Sequence, residues 1–111
     1  MGRRESLGRL EELVLLAVMR LGPESYGVTI REEIEAQTGR DLSLGAIYPT
    51  LDRLEDQGLV RSRRGEPTGE RGGRSRRNFE LLSDGYEALR RSRRAMTAMW
   101  AGFEPDGEAK S

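Results

Sequence analysis

Apolar residues recur at helical spacing in three successive segments near the start of the chain. Residues 7–21 are apolar nearly all round the helix, so we expect the domain or a partner subunit to cover it on more than one side. Residues 25–38 and 43–57 each have one apolar stripe, and Ser25 and Ser43 are suitable caps at their starts. The pattern therefore predicts three short helices.

After Gly58 the apolar pattern changes to the alternation that is typical of β-strands. Residues 59–64 and 76–82 alternate in this way, with Phe79 as the largest apolar side chain. Residues 65–75 between them contain four Gly and one Pro, a composition that favours a loop. These segments predict a β-hairpin with a long tip.

A fourth helix is predicted from Ser83, a suitable cap, to Gly102. Its apolar residues recur in steps of four and three, which is the spacing of a coiled coil, so we expect it to form the core of a homodimer. The seam consists of Leu82, Tyr86, Leu89, Arg93, Met96, Trp100 and Phe103. Alternatively, large side chains of this helix line a cavity for a small hydrophobic ligand. The candidates for that role are Met96, Met99, Trp100 and Phe103.

Three helices, a β-hairpin and a final helix follow one another in the order of a winged helix-turn-helix protein. We therefore expect a mainly α fold with a β-hairpin. Residues 1–82 are expected to form the winged helix, residues 83–103 the dimerisation helix and residues 104–111 a flexible tail. In such a domain the second helix of the helix-turn-helix lies in the major groove of DNA.

The composition of the chain argues against several kinds of chemistry. Its 111 residues include no Cys and no His, so thiol nucleophiles, imidazole bases and the common zinc ligands are absent. No apolar run is long enough to span a membrane, and the amino terminus lacks the pattern of a secretion signal. We expect a cytoplasmic protein that is not an enzyme and that needs no metal and no cofactor.

The net charge is zero, but the charges are segregated along the chain. Residues 1–57 carry seven Arg against eleven acids, whereas residues 58–94 carry eleven Arg against five acids. Segregation of this kind is typical of nucleic-acid binders. The expected partner is therefore double-stranded DNA.

The early residues of the third helix are the first candidates for contact with DNA. Small residues there permit close approach, the Tyr48 and Thr50 hydroxyls can donate to phosphates, and Arg53 can reach a phosphate or a guanine. Alternatively, Tyr48 packs under the wing. Arg53 then pairs with an acid of its own helix, Asp52 or Asp56. The candidates are Ser43, Gly45, Ala46, Tyr48, Pro49, Thr50 and Arg53.

The hairpin carries a second group of candidates, because seven Arg outnumber two acids in residues 61–77. A basic, glycine-rich ribbon can enter a minor groove. Alternatively, the charges form only a solvated surface, or they bind an acidic protein and make the chain a protein-interaction module. The arginines are Arg61, Arg63, Arg64, Arg71, Arg74, Arg76 and Arg77.

Pro49 lies inside the third helix, where its ring should clash with the carbonyl of Gly45. Gly45 can tilt away most easily because it has no side chain. The break lies near the helix start, so only about one internal hydrogen bond is lost. We hypothesise that the bend and the freed carbonyl shape the helix end that meets DNA.

Three stretches of the sequence belong together: YG at residues 26 and 27, LSLGAIYPTLDRLEDQGLV from residue 42, and GGRSRRNFELLSDGYEAL from residue 72. In these stretches the chain resembles the PadR family of bacterial transcriptional regulators. The resemblance implies dimeric repressors that bind near-palindromic operators through the third helix and the wing. It also implies that many members release DNA when they bind an aromatic or amphipathic effector.

By position, the resemblance implies that Tyr48, Pro49, Thr50 and Arg74 face the DNA backbone. Two positions depart from the family pattern. The second wing strand usually carries two adjacent aromatic residues, whereas this chain has Asn78 and Phe79, so one packing contact is lost or replaced. Drug-binding members place a Trp about one turn earlier than Trp100, so no ligand role is implied for Trp100. The last helix is similar to that of the smaller subgroup, which has a single carboxy-terminal helix.

Overall fold

The computed structural model describes residues 7–64 and 76–103 and has helices and a hairpin in the expected order. This order confirms a mainly helical fold with one antiparallel β-hairpin. The predicted wing tip, residues 65–75, and the predicted tail, residues 104–111, lie outside the described residues. The elements are α1 (Arg9–Leu21), a one-turn 3₁₀ helix (Gly22–Glu24), α2 (Gly27–Thr38), α3 (Leu44–Asp56), β1 (Val60–Arg64), β2 (Arg77–Leu81) and α4 (Ser83–Trp100).

The three amino-terminal helices pack around one apolar core, which the hairpin and the start of α4 complete. On α1 the adjacent residues Val14 and Leu15 point to different sides of the helix, and neither is exposed. This burial confirms that α1 is covered on more than one side. The buried apolar residues are Val14, Leu15, Ala17, Val18, Ile30, Ile34, Ile47, Leu51, Leu54, Leu59, Val60, Phe79, Ala88 and Leu89.

The helix boundaries agree with the sequence at some positions and differ at others. Ser43 caps α3 as predicted, since its hydroxyl accepts a hydrogen bond from the Ala46 N–H at 3.1 Å. Gly39 and Gly58 have positive φ angles of 77° and 78°, the left-handed backbone that glycine adopts readily after the end of a helix. Ser83, however, is the first residue of α4 and not its cap, so that prediction is wrong by one residue.

Ser25 does not cap α2, because α2 begins one residue later, after Tyr26. Ser25 is instead fully buried, and its hydroxyl donates to the carbonyl oxygens of Val18 at 3.1 Å and Gly22 at 2.8 Å. Its own carbonyl oxygen accepts a hydrogen bond from the Phe79 N–H at 2.8 Å. Ser25 thereby joins the end of α1, the 3₁₀ helix and β2.

The strands β1 and β2 form an antiparallel pair in which Ser62 faces Phe79 at the centre. The side chains alternate as predicted, since Val60 and Phe79 are buried whereas Arg61 and Glu80 are exposed. One face of the hairpin therefore lies on the core, and the other face holds charged side chains in solvent.

Within the part of the chain that the structure describes, the first half of α4 packs on the rest of the domain and the second half does not. Gly85 and Leu89 are buried, and the Ser92 hydroxyl donates to the Glu12 carboxylate on α1 at 2.9 Å. From residue 93 onward, every described residue of α4 is exposed. The helix ends at Trp100, so Phe103 lies beyond it. The prediction that Phe103 belongs to the coiled-coil seam of this helix is therefore wrong.

Candidate nucleic-acid interface

The amino-terminal half of α3 presents small, uncharged residues to solvent. Ser43, Gly45 and Pro49 are exposed, and residues 42–51 include no acid. The helix continues through Pro49, which has no N–H to donate to the Gly45 carbonyl, at a cost of about one hydrogen bond. This end of α3 is therefore the part of the helix that another surface can approach most closely.

The Tyr48 side chain packs against the start of α2. A Cβ atom at position 27 would lie 2.2 Å from the Tyr48 hydroxyl, so the ring occupies the space that any side chain at Gly27 would need. The ring is half-buried at the edge of the core. This contact gives a packing reason for Gly27 in the YG pair at residues 26 and 27. A contact between Tyr48 and the DNA backbone stays a prediction.

Thr50 lies inside the protein and is 1% exposed. Its hydroxyl donates to the Ala46 carbonyl oxygen at 2.8 Å and accepts a hydrogen bond from Arg53 Nη2 at 3.3 Å. The prediction that this hydroxyl donates to a phosphate is therefore wrong. The physical reason is helical periodicity, because Thr50 shares the buried face of α3 with Ile47 and Leu54.

Arg53 extends from α3 to the start of α1. Its Nε lies 3.3 Å from Oε2 of Glu11, and the other oxygen of that carboxylate accepts a hydrogen bond from the Gly8 N–H at 2.9 Å. The alternative of a pair with Asp52 or Asp56 is therefore wrong, because the guanidinium reaches a different element. The Arg53 side chain is 52% exposed, and its contact with DNA stays a prediction.

Two arginines of the hairpin are paired with acids of the same chain. Arg61 lies opposite Glu80 in the hairpin, and their side chains form an ion pair at 2.9 Å. Arg77 joins β2 to α3, since its Nη2 lies 2.9 Å from Asp52 Oδ1 and 3.0 Å from Glu55 Oε1. These two arginines hold the hairpin together and hold it to α3.

Other wing arginines direct their charge toward solvent. Arg63 and Arg64 are exposed on β1 and form no ion pair with any described residue. Arg76 is exposed as well, with its guanidinium 4.1 Å from the ring centroid of Tyr26 in a cation–π contact. Two more arginines that are predicted to contact DNA lie outside the described residues: Arg71 and Arg74.

Glu55, which sequence reasoning missed, connects the hairpin to α3. Its carboxylate accepts hydrogen bonds from the Ser62 N–H and hydroxyl, both at 2.9 Å, and from Arg77 Nη2 at 3.0 Å. These donors, above all the Ser62 N–H, hold the pKa of Glu55 below its usual value. The feature of the sequence that could have indicated this contact is Ser62. It shares the inward face of β1 with Val60, where a polar side chain needs a hydrogen-bond partner.

Asn78 stands where the family resemblance leads us to expect an aromatic residue. Its Nδ2 donates a hydrogen bond to the Pro23 carbonyl oxygen at 2.8 Å. This bond attaches β2 to the 3₁₀ helix that follows α1. The expected packing contact is therefore replaced by a hydrogen bond.

The second half of α4 exposes large apolar side chains. Met96 and Trp100 are each 50% exposed, and Met99 and Phe103 still more so. An open groove of about 450 Å³ separates α4 from α1, and Met96 and Trp100 line it together with Met19. The structure therefore brings together two of the four residues predicted to line a cavity or a dimer core.

In the part of the chain that the structure describes, no helix is both long and apolar enough to cross a membrane. The same residues include no group of metal-binding side chains placed to hold a metal ion. The acids near the hairpin are instead engaged with arginines, as Asp52 is with Arg77.

Comparison with known proteins identifies the family of this chain. The model of the transcriptional regulator PadR-like family matches residues 15–91, well over half of the sequence. The chain belongs to the PadR family. PadR proteins are winged helix-turn-helix transcription regulators that bind DNA, and the match indicates no enzymatic family.

Several solved structures share this fold. A PadR family regulator from Clostridium difficile R20291 has a TM-score of 0.68 and 20% identity, with 83% of this chain and 91% of that chain covered. H. salinarum RosR has a TM-score of 0.64 and 21% identity, with 88% of this chain and 81% of that chain covered. A PadR family regulator from Eggerthella lenta DSM 2243 has a TM-score of 0.62 and 26% identity, with 78% and 73% covered. A comparison with curated proteins finds no match.

Replacing Glu55 with Gln should destabilise the protein in a pH-dependent way. Folding lowers the pKa of Glu55 below 4.5, so the carboxylate stabilises the fold above that pH and loses its effect as the pH falls through the folded-state pKa. At pH 7 we expect the free energy of unfolding to be about 1 kcal/mol lower in Glu55→Gln, a value that allows for partial exposure. Urea unfolding of both proteins at several pH values measures this difference in the free energy of unfolding.

The difference between the two proteins should shrink once the pH is well below 4.5. A difference that stays constant across the pH series would contradict a role for the ionised carboxylate.

Proposed function

We propose that this PadR protein is a homodimeric, sequence-specific repressor that binds a near-palindromic operator. Each subunit inserts the amino-terminal half of α3 into a major groove and lays the hairpin against the neighbouring backbone or minor groove. The helix α4 joins the two subunits. Binding of this geometry at a promoter blocks transcription.

The observation that carries this proposal is the distribution of charge on α3 and the hairpin. Gly45 and Pro49 are exposed, small and neutral, so the start of α3 can approach base edges closely. Arg63 and Arg64 are exposed on β1, where they can neutralise phosphates. Nearer the end of α3, Arg77 offsets part of the negative charge of Asp52 and Glu55, which would otherwise repel DNA.

Other exposed groups extend the proposed interface. Tyr48 lies at the junction of α2 and α3, Arg53 is half exposed, and Arg76 lies over Tyr26 at the start of α2. Phosphate contacts from these side chains would fix the register of α3 in the groove without reading sequence. Ser43 at the helix start and two residues of the wing tip complete the proposed set: Arg71 and Arg74.

The exposed apolar surface of α4 supports a homodimer. Tyr86, Met96 and Trp100 are 46%, 50% and 50% exposed, and they follow the four-and-three spacing of a coiled coil. A second copy related by a twofold axis would cover both apolar surfaces at once. The same axis would place the two α3 helices on half-sites separated by about 34 Å or a multiple of it.

The groove between α1 and α4 favours a second candidate function, the release of DNA by a small aromatic or amphipathic effector. Met96 and Trp100 give it an apolar wall. Its charged lining residues are Arg90, Arg93 and Glu12, which together carry a net positive charge. A flat apolar ligand with an acidic group would suit both features. Its binding would couple to DNA affinity if it changed how the two α4 helices pack.

Replacing Arg63 and Arg64 together with Ala should weaken binding to every DNA sequence. The loss should grow as salt is lowered, since each lost phosphate contact reduces the slope of log affinity against log salt by about one. Titration of the DNA upstream of the protein's own gene, and of a random duplex of equal length, at several salt concentrations measures this slope.

The double variant Arg91→Ala and Arg94→Ala is the matched control, because it removes the same two positive charges from exposed positions of α4. Its slope should match that of the wild type. If the wild type bound neither duplex but bound an acidic protein, the rival assignment of a protein-interaction module would stand instead.

Trp100→Glu should convert the dimer to a monomer, because it places a charge in the proposed apolar seam. Ala98→Glu introduces the same charge on the opposite side of α4 and should leave the dimer intact. Sedimentation velocity over a range of protein concentrations distinguishes the two states. A Trp100→Glu protein that remains dimeric would show that α4 is not the dimer core.

A further inference from the structure

Glu55 occupies a position where a negative charge opposes the proposed function. It lies on α3, the helix proposed to read DNA, and a carboxylate there repels phosphates at long range. The charge is nevertheless fully engaged, since three donors on the hairpin reach the two carboxylate oxygens. A residue with this many partners on a second element determines how the two elements sit together.

The backbone of the hairpin explains why Glu55 is needed at this place. Ser62 and Phe79 face each other at the centre of the hairpin, but their N–H groups point away from each other. The Phe79 N–H donates to the Ser25 carbonyl oxygen at 2.8 Å, and the Ser62 N–H donates to Glu55 at 2.9 Å. Glu55 therefore supplies the acceptor for one edge of the two-stranded sheet that the described residues form.

Arg77 gives Glu55 a second connection, this time to β2. Its guanidinium lies 3.0 Å from Glu55 Oε1 and 2.9 Å from Asp52 Oδ1, one helical turn earlier on α3. In the hairpin, Arg77 faces Arg64 and Ser62 directly precedes Arg63. The contacts of Glu55 therefore lie immediately beside the two exposed arginines.

We propose that Glu55 is a positioning residue that fixes the wing relative to α3, so that the exposed wing arginines and the start of α3 contact DNA at the same time. This proposal rests on the proposed DNA-binding function. The negative charge of Glu55 would by itself weaken the binding of DNA to α3. In this proposal Glu55 strengthens binding instead, because it holds the wing in place.

The decisive experiment compares Glu55→Gln with Asp56→Asn on the DNA upstream of the protein's own gene. Asp56 is exposed on the same turn of α3 and, within the described residues, makes no ion pair through its side chain. Each variant removes one negative charge while nearly preserving shape. We expect Glu55→Gln to weaken binding about five- to tenfold and Asp56→Asn to leave it unchanged or strengthen it.

A coupling measurement separates positioning from a general loss of stability. In the Glu55→Gln background, replacing Arg63 and Arg64 with Ala should cost less affinity than in the wild type, because a displaced wing no longer presents them. Circular dichroism confirms that each variant is folded at the binding temperature. Ser62→Ala, which keeps the backbone N–H and loses only the hydroxyl, provides a milder variant that should weaken binding in the same direction.

The outcomes distinguish this proposal from the function on which it rests. If the wild type bound the DNA and lost affinity on removal of Arg63 and Arg64, but Glu55→Gln bound as tightly as Asp56→Asn, the positioning role would be overturned and the DNA-binding role would stand. Full additivity of the Glu55 and wing substitutions would also overturn it. A wild type that bound no DNA would instead overturn the proposed function.

Discussion

Among the described residues, no further strand pairs with the hairpin, and the structure depends on how the two edges of the hairpin are bonded. An isolated two-stranded sheet is marginally stable in water. Here the Ser62 N–H on one edge donates to Glu55, and the Phe79 N–H on the other edge donates to the Ser25 carbonyl oxygen. Leaving either N–H buried without a partner would cost about 1–3 kcal/mol. The wing is therefore joined to α3 on one side and to the junction of α1 and α2 on the other.

This arrangement also determines where charge lies on the surface proposed to meet DNA. Asp52 and Glu55, in the second half of α3, both bond Arg77 of the hairpin, so part of their negative charge is offset within the protein. The first half of α3 carries no charge at all, and Tyr48 packs closely on Gly27 at the start of α2. The result is a neutral helix end held beside a basic wing, which suits the close approach of a polyanion.

The order of the elements could be predicted from the sequence because each helix and strand shows its own apolar period. The candidate site could be predicted only in part. Arg53 bonds Glu11, which lies 42 residues away, and the burial of Thr50 follows from which face of α3 meets the core. Glu55 resembles an ordinary solvated charge until folding places Ser62 beside it. Side chains whose partners lie on other elements are thus the ones that the sequence pattern leaves undetermined.

The most direct test of the account is Gly45→Ala, measured for both stability and DNA binding. A Cβ at position 45 would meet only Ser43 Oγ at 3.7 Å, and Ala favours helix over Gly, so the free energy of unfolding should rise by about 0.5 kcal/mol. The same methyl group would stand between α3 and the bases, so affinity for the DNA upstream of the protein's own gene should fall about tenfold. A more stable variant with unchanged affinity would contradict the account, because DNA would then be bound by another surface.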